Sequence, residues 1–200
     1  MRAKAINWQT PSAERKAVFR VLASAVRREV WLKSGAWASQ ALAARGAAFI
    51  GAMQATSAAG YFPVHDELDP IPLLEALHAQ GLSTALPVVR PGPDLVFREW
   101  SPGAQLKRGK FGLQQPGPES PELMPDIVLV PLLAFDRKGG RLGYGAGYYD
   151  AALRRMRRQG TAAAIGIAFD EQEFPDVPQE PQDEPLDTIL TPSRIIACGE

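Results

Sequence analysis

A single cysteine, Cys198, stands two residues from the end of this 200-residue sequence. One thiol excludes an internal disulfide framework and any multi-cysteine metal site, and it fits a reducing compartment. Net charge is lacking too. The 22 Lys and Arg balance 22 Asp and Glu, so no basic excess exists to neutralise a phosphate backbone or hold an anionic membrane surface. Neither nucleic acid nor membrane is expected as a partner. No stretch reaches about 18 uninterrupted apolar residues, and the charges at Arg2 and Lys4 have no apolar run behind them, so a mature cytoplasmic protein is expected. Only two histidines occur, His65 and His78. Both read as surface or loop residues, with no Cys or Asp partner at metal-ligand spacing. Internal repeats and long polar linkers are also missing. With 46% apolar and 22% charged residues, the composition is that of one ordinary domain. The expected division is a flexible segment over residues 1–13 and a single domain over 14–200.

Proline, by contrast, is plentiful, at 18 residues against an average usage of ~5%. Its clusters mark three long connections: Pro87 to Pro102, Pro116 to Pro125, and Pro175 to Pro192. Loops of that length in a compact domain are often functional. From Ser12 to about Lys33, the residues Phe19, Leu22, Val26 and Val30 line one face of a helix, and an alanine-rich helix is expected over Trp37 to Ala47. Tyr61 to Val64 reads as a strand end, Ile71 to Gln80 as a helix stopped by Gly81, and Leu82 to Val89 as a strand. Asp126 to Pro131 is almost wholly apolar and β-branched, the pattern of a strand buried on both faces. A helix with Tyr149, Leu153 and Met156 inward and Arg154, Arg155, Arg157 and Arg158 outward ends at Gly160, and Ala162 to Ala168 forms the next strand. Strand, glycine-rich loop, helix, strand is a βαβ unit. The fold class is therefore α/β, a single domain with a mostly parallel sheet flanked by helices.

The loop of that unit, Phe135 to Asp150, holds five glycines, with Gly143, Gly145 and Gly147 at alternate positions. Glycine lets backbone N–H groups turn inward, and the following helix adds unpaired N–H groups and a positive dipole end, which together make an anion cradle. Arg141 supplies a guanidinium suited to phosphate oxygens. The spacing matches neither the dinucleotide fingerprint nor the Walker A pattern. A tight connection that binds nothing is the alternative. Asp150, in the first helical turn, reads equally as a metal ligand or as a carboxylate favouring the helix dipole. Trp100, in a proline-flanked loop, would either stack on a ligand or anchor packing.

Gly139 to Asp150, preceded by Val130 to Asp136, closely resembles the signature of the 5-formyltetrahydrofolate cyclo-ligase family, also called methenyltetrahydrofolate synthetase. The likeness extends to Tyr61–Glu67 with Asp69, Leu86–Val88, Gly109–Leu113, Gly166–Phe169 with Gln172, and Asp187–Pro192, covering roughly residues 14–196. It implies a fold related to sugar-phosphate isomerases and CoA transferases. It also implies conversion of 5-formyltetrahydrofolate and ATP to 5,10-methenyltetrahydrofolate, ADP and phosphate, with Mg2+ as cofactor, by a monomer.

Residue by residue, the resemblance places Lys16, Arg20 and the stretch Arg141, Leu142, Gly143, Tyr144, Gly145, Ala146, Gly147, Tyr148 and Tyr149 on ATP. It places Phe62, Glu67 and Tyr144 to Tyr148 on the folate, Asp150 and Asp187 on magnesium, and Arg141 and Tyr149 in catalysis, with Asp183 and Glu184 as neighbouring carboxylates of no role. On spacing alone, Lys16 and Arg20 share a helix face that would ordinarily be a solvated cationic surface, and Phe62 would equally be core. The sequence departs from the family at Leu132, where glycine is frequent, at Ala146, where glycine or a cation is common, at Pro70 in place of threonine, and at Gln115 in place of an acidic residue. None removes a group the reaction needs. The glycine-rich loop would equally serve a sugar-phosphate isomerase or kinase, or a nucleotide-binding module without turnover.

Overall fold

The alternation of Ile127, Val128, Leu129 and Val130 organises two cores on opposite faces of one sheet. Ile127 and Leu129 pack with one set of helices, Val128 and Val130 with another. The structure, a computed structural model, describes residues 12–92, 94–160 and 162–199. In chain order the elements are α1 (Ser12–Gly51), β1 (Ser57–Ala59), α2 (Ile71–Ala79), β2 (Ser83–Val89), β3 (Leu95–Glu99), β4 (Lys107–Arg108), β5 (Gln114–Gln115), β6 (Glu122–Leu123) and β7 (Ile127–Pro131). They continue with β8 (Ala134–Phe135), β9 (Arg141–Leu142), α3 (Tyr148–Arg158), β10 (Ala163–Ile167), β11 (Thr188–Leu190) and β12 (Ile195–Ala197).

Eight strands form the sheet in the order β12-β11-β10-β7-β1-β2-β3-β6. The five central strands, from β11 to β2, are parallel, and β12, β3 and β6 join antiparallel at the edges. Leu42, Ile50, Leu73, Leu74 and Leu77 of α1 and α2 cover one face; Ala152, Leu153 and Met156 of α3 cover the other. The expected α/β fold, one domain with a mostly parallel sheet between helices, is thus observed. Asp126 fixes the register at the centre, its Oδ2 accepting the backbone N–H groups of Thr56 and Ser57 at 2.8 and 3.0 Å and both hydroxyls as well.

Several local expectations need correction. The two helices expected over Ser12–Lys33 and Trp37–Ala47 are one 40-residue helix. Ser34 and Ser39 do not cap a break but donate back to the carbonyls of Val30 and Gly35, each at 3.1 Å. The inward face of its first half is also different: Leu22 is 38% exposed, while Lys16, Phe19, Ala23 and Arg27 are buried. Tyr61 to Val64 pairs with no strand; the strand is the preceding Ser57–Ala59, whose small residues carry no hydrophobic signal. The three proline-marked connections contain β3, β6 and β11. In the first of them Arg90 N–H donates to Asp94 O at 3.0 Å, closing the hairpin that pairs β2 with β3. Trp100 is buried among the residues facing α1 and α2, so it anchors packing. Residues 1–11 of the segment expected to be flexible lie outside the described residues, and Ser12 and Ala13 already belong to α1.

Candidate functional site

After β1 the chain runs to α2 on one face, and after the adjacent β7 it runs to α3 on the other. Connections that leave neighbouring parallel strands in opposite directions open a crevice beyond their carboxyl ends, where ligands bind in sheets of this kind. A cleft of about 760 Å³ lies there, toward the upper end of the ~300–1,000 Å³ typical of ligand pockets. Tyr61, Phe62 and Glu67 reach it from the segment after β1, Pro87 and Val89 from β2, and Pro131 from the end of β7. The stretch 141–151, Lys16 and Arg20 of α1, and Glu180 and Asp183 of the last long connection complete it.

Gly147 sits at the N-cap of α3 with φ +70°, and no side chain caps the helix. The first-turn N–H groups are therefore left for an anion. Gly145 has φ +98°, and a Cβ there would stand 3.0 Å from Arg20 Nη2. That close approach exists because Arg20 lies along the loop, donating through Nε to Gly143 O at 3.0 Å. Both Arg20 Nη groups stay clear of that bond. Lys16, only 7% exposed, is not on a solvated surface. It donates to Glu180 Oε2 at 2.9 Å and Asp183 Oδ2 at 2.6 Å, which leaves the third ammonium proton for a phosphate oxygen.

Arg141 is buried, donating to Asp150 Oδ1 and to the carbonyl of Glu184. Burial pulls its pKa below the usual arginine value, and the carboxylates of Asp150 and Asp183 oppose that fall. Asp150 Oδ1 also accepts Glu184 N–H at 3.0 Å. Asp150 Oδ2 and Asp183 Oδ1 accept no hydrogen bond from the described residues, so each offers one oxygen. Asp187 also leaves one oxygen, Oδ1, without a bond from the described residues, but it differs in place: its Oδ2 accepts Ala164 N–H at 2.7 Å and Arg157 Nη2 at 3.0 Å, and it is not among the residues lining the cleft. The structure thus gathers Asp150 with Asp183, the carboxylate passed over from the sequence, and leaves Asp187 holding β10. Among the described residues no group of three or more His, Cys, Asp or Glu is arranged around a metal. Two carboxylates completed by phosphates and water suit magnesium, which seldom uses an all-protein cage.

On the opposite wall, Glu67 is 5% exposed, with Oε2 accepting Val64 N–H at 2.9 Å. Burial pushes its carboxyl up to about 7, and the Val64 N–H and Arg27 work against the rise. Phe62 lies half-buried along the same wall. Tyr149 is pushed far above the usual phenol range by burial and by Glu67, so its hydroxyl stays protonated and can donate to a ligand but not act as a base. Tyr148 accepts from Lys110 Nζ at 3.1 Å. Leu142 packs its side chain with Phe19 and Leu133, so only its backbone is left for a ligand. Gly143 and Ala146 line the cleft from the loop.

Besides Asp183, a second polar side chain, this one buried, goes unassigned in the sequence. Arg27 is 2% exposed and bonds to Asp66 at 2.7 Å and to the Tyr144 hydroxyl. Its signal was the spacing of Lys16, Arg20 and Arg27, which falls on one helical face. The apolar pattern of Phe19, Leu22, Val26 and Val30 obscured it.

The profile of the 5-formyltetrahydrofolate cyclo-ligase family matches residues 12–192. A 5-formyltetrahydrofolate cyclo-ligase of Mycolicibacterium smegmatis is 37% identical over 151 residues, covering 69% of this chain and 74% of the relative. That of Haemophilus influenzae is 34% identical over 143 residues, covering 68% and 76%, and that of Escherichia coli K12 is 32% identical over 149 residues, covering 72% and 81%. Among solved structures, a 5,10-methenyltetrahydrofolate synthetase from Mycoplasma pneumoniae superposes with a TM-score of 0.70 at 24% identity, covering 88% of this chain and 98% of that one. The Aquifex aeolicus enzyme of the same name gives 0.67 at 27% identity, covering 90% and 94%. An anion cradle facing a buried carboxylate across one cleft, on a chain matched over nearly its whole length, places this protein in the 5-formyltetrahydrofolate cyclo-ligase family.

Proposed function

We propose that this cleft catalyses the ATP-dependent cyclisation of 5-formyltetrahydrofolate to 5,10-methenyltetrahydrofolate through a phosphorylated formyl oxygen. The observation that carries the route is the meeting, in one cleft, of the cationic glycine-rich loop and the Glu67 wall. A formamide carbon is a weak electrophile and its oxygen a poor leaving group, so attack by N10 alone would stall. In the first step the formyl oxygen attacks the γ-phosphorus and ADP departs. N10 then attacks the activated carbon, the C–O bond breaks, inorganic phosphate leaves, and the N10 proton passes to solvent. A sugar-phosphate isomerase or kinase would use the cradle but would leave the Glu67 wall without a role.

Lys16, Arg20 and the N–H groups of the loop hold the phosphates, where preorganised donors and cations stabilise developing negative charge. Arg141 braces Asp150 and adds its charge. Glu67 accepts N–H groups of the pterin, with Phe62 against the ring. Asp150 and Asp183, not Asp187, would hold magnesium, which supplies charge neutralisation for the triphosphate. Tyr149 donates a hydrogen bond from α3. Every one of these groups comes from one chain, so a monomer suffices. Balanced charge and the lone thiol suit the cytoplasm, and no helix among the described residues is long and apolar enough to cross a membrane.

Substrate carrying oxygen-18 in the formyl group tests the order of steps. The label is expected in the released phosphate, with methenyl product formed in step with ADP. Label remaining in water or folate would overturn the phosphorylated intermediate.

A further inference from the structure

Arg27 is the most deeply buried of the cations around the cleft, yet it does not line the cleft itself. Its guanidinium joins three separate segments. Nη2 donates to Asp66 Oδ1 at 2.7 Å and to the Tyr144 hydroxyl, Nη1 lies 3.9 Å from Glu67 Oε1, and Leu132 O, just past β7, accepts from Nη1 at 3.4 Å. The plane also sits over Tyr144, 5.4 Å from the ring centre. Nε is buried without a partner. Taking a cation out of water and leaving one donor unpaired is costly, and buried ion pairs are weak contributors to stability compared with apolar packing. The arrangement therefore asks for a functional reason. Glu67 and Tyr144 supply it, since both line the cleft.

We propose that Arg27 is a positioning residue for the pteridine end of the folate, clamping Tyr144 of the glycine-rich loop against the Asp66–Glu67 turn so that carboxylate and phenol meet the ligand as one surface. The inference rests on the reading of Glu67 as a folate ligand. The groups facing Glu67 are Arg27 from α1, Asp66 from its own turn, Tyr61 from the segment after β1, Tyr144 from the loop and Tyr149 from α3. Arg27 is the single cation among them. Without it the carboxyl has less to hold it ionised at neutral pH, and a protonated carboxyl loses acceptor capacity toward pterin N–H groups. Lysine would keep the charge but not the planar fork that reaches three partners.

Steady-state kinetics of Arg27→Gln and Arg27→Lys across pH 6 to 9, with each substrate varied, test this. For Arg27→Gln the KM for 5-formyltetrahydrofolate is expected to rise about tenfold or more, while the KM for ATP stays within about twofold. Its acid limb in kcat/KM for the folate should move up by about one pH unit. Arg27→Lys should restore the limb but only part of the KM. Equal changes in both KM values, or an unmoved limb, would show a merely structural residue. If Arg27→Gln does not fold, Asp66→Asn decides, because it removes one arm of the clamp from a partly exposed position. A rise in folate KM alone supports the clamp and an unchanged folate KM overturns it. Glu67→Gln separates the two readings: if its folate KM is unchanged, the Glu67 assignment fails. If that KM rises while Arg27→Gln is silent, only the clamp fails.

Discussion

The two halves of α1 obey the same backbone geometry, but only the first buries cations. From Ala38 to Ile50 the inward residues are Ala38, Leu42, Ala43, Ala47 and Ile50, packed on α2 and the sheet. Gly46 lets the helix approach so closely that a Cβ would stand 2.7 Å from Leu73 Cδ2. From Lys16 to Arg27 the inward residues are Lys16, Phe19, Ala23 and Arg27. The first half meets loops instead, so its buried face sets Lys16 and Arg27 beside Phe19 and Ala23. A hydrophobic stripe identifies the side of a helix that faces a core, and it misleads where the helix covers a ligand site.

Substitutions in the two halves should separate stability from catalysis. The largest effect on folding is expected for Leu42→Ala, which leaves a cavity in a fully buried position and should cost about 2–5 kcal/mol. Chemical denaturation would read the loss, with KM values of the remaining folded enzyme unchanged.

Glu67→Gln, facing the first half, should act in the opposite sense. A carboxyl raised from its ordinary value to about 7 by burial keeps, in the folded state, a proton that the unfolded chain releases. Stability therefore falls as pH rises between roughly 4.5 and 7 and stays lower above it. At pH 8 the penalty is on the order of 3 kcal/mol. Glu67→Gln should then melt higher than the parent at pH 8 and equally at pH 4.5, and its weaker folate binding should show at pH 8, where the parent carboxyl is ionised. A melting temperature below the parent's at pH 8 would contradict this.

Asp183→Asn, which touches Lys16, should raise the magnesium concentration needed for half-maximal rate by about tenfold. Asp187→Asn should leave it unchanged, and the reverse result would return Asp187 to the metal site. Smallest of all is Leu22→Ser. The apolar pattern places Leu22 inward, but its exposure on the outer face predicts a stability change within about 0.5 kcal/mol and unaltered kinetics.

What the sequence made legible follows the strength of each physical signal. The Asp126–Pro131 run, the Ile71–Gln80 helix and the glycine-rich loop were readable because apolar density, a glycine stop and glycine spacing act locally. β1, β6, β11 and β12 were not, since two- and three-residue strands are set by neighbours in the sheet. Within the site, Lys16, Arg20, Glu67, Arg141 and Asp150 all line the cleft, a grouping suggested by family resemblance rather than by periodicity. Asp183 and Asp187 lie four apart on one connection, and nothing local distinguishes them. Only the docking of that connection onto Lys16 and onto β10 does so.

That docking has a consequence for synthesis. Lys16 and Asp183 are 167 positions apart, so at about 5–20 residues per second the ribosome delivers the second on the order of ten seconds or more after the first. Throughout that interval the cationic half of α1 waits for the loop that will enclose it. ATP can therefore meet the enclosed site only after Asp183 has been made, when β1, β2, β7 and β10 have been synthesised and the edge strands β11 and β12 have not.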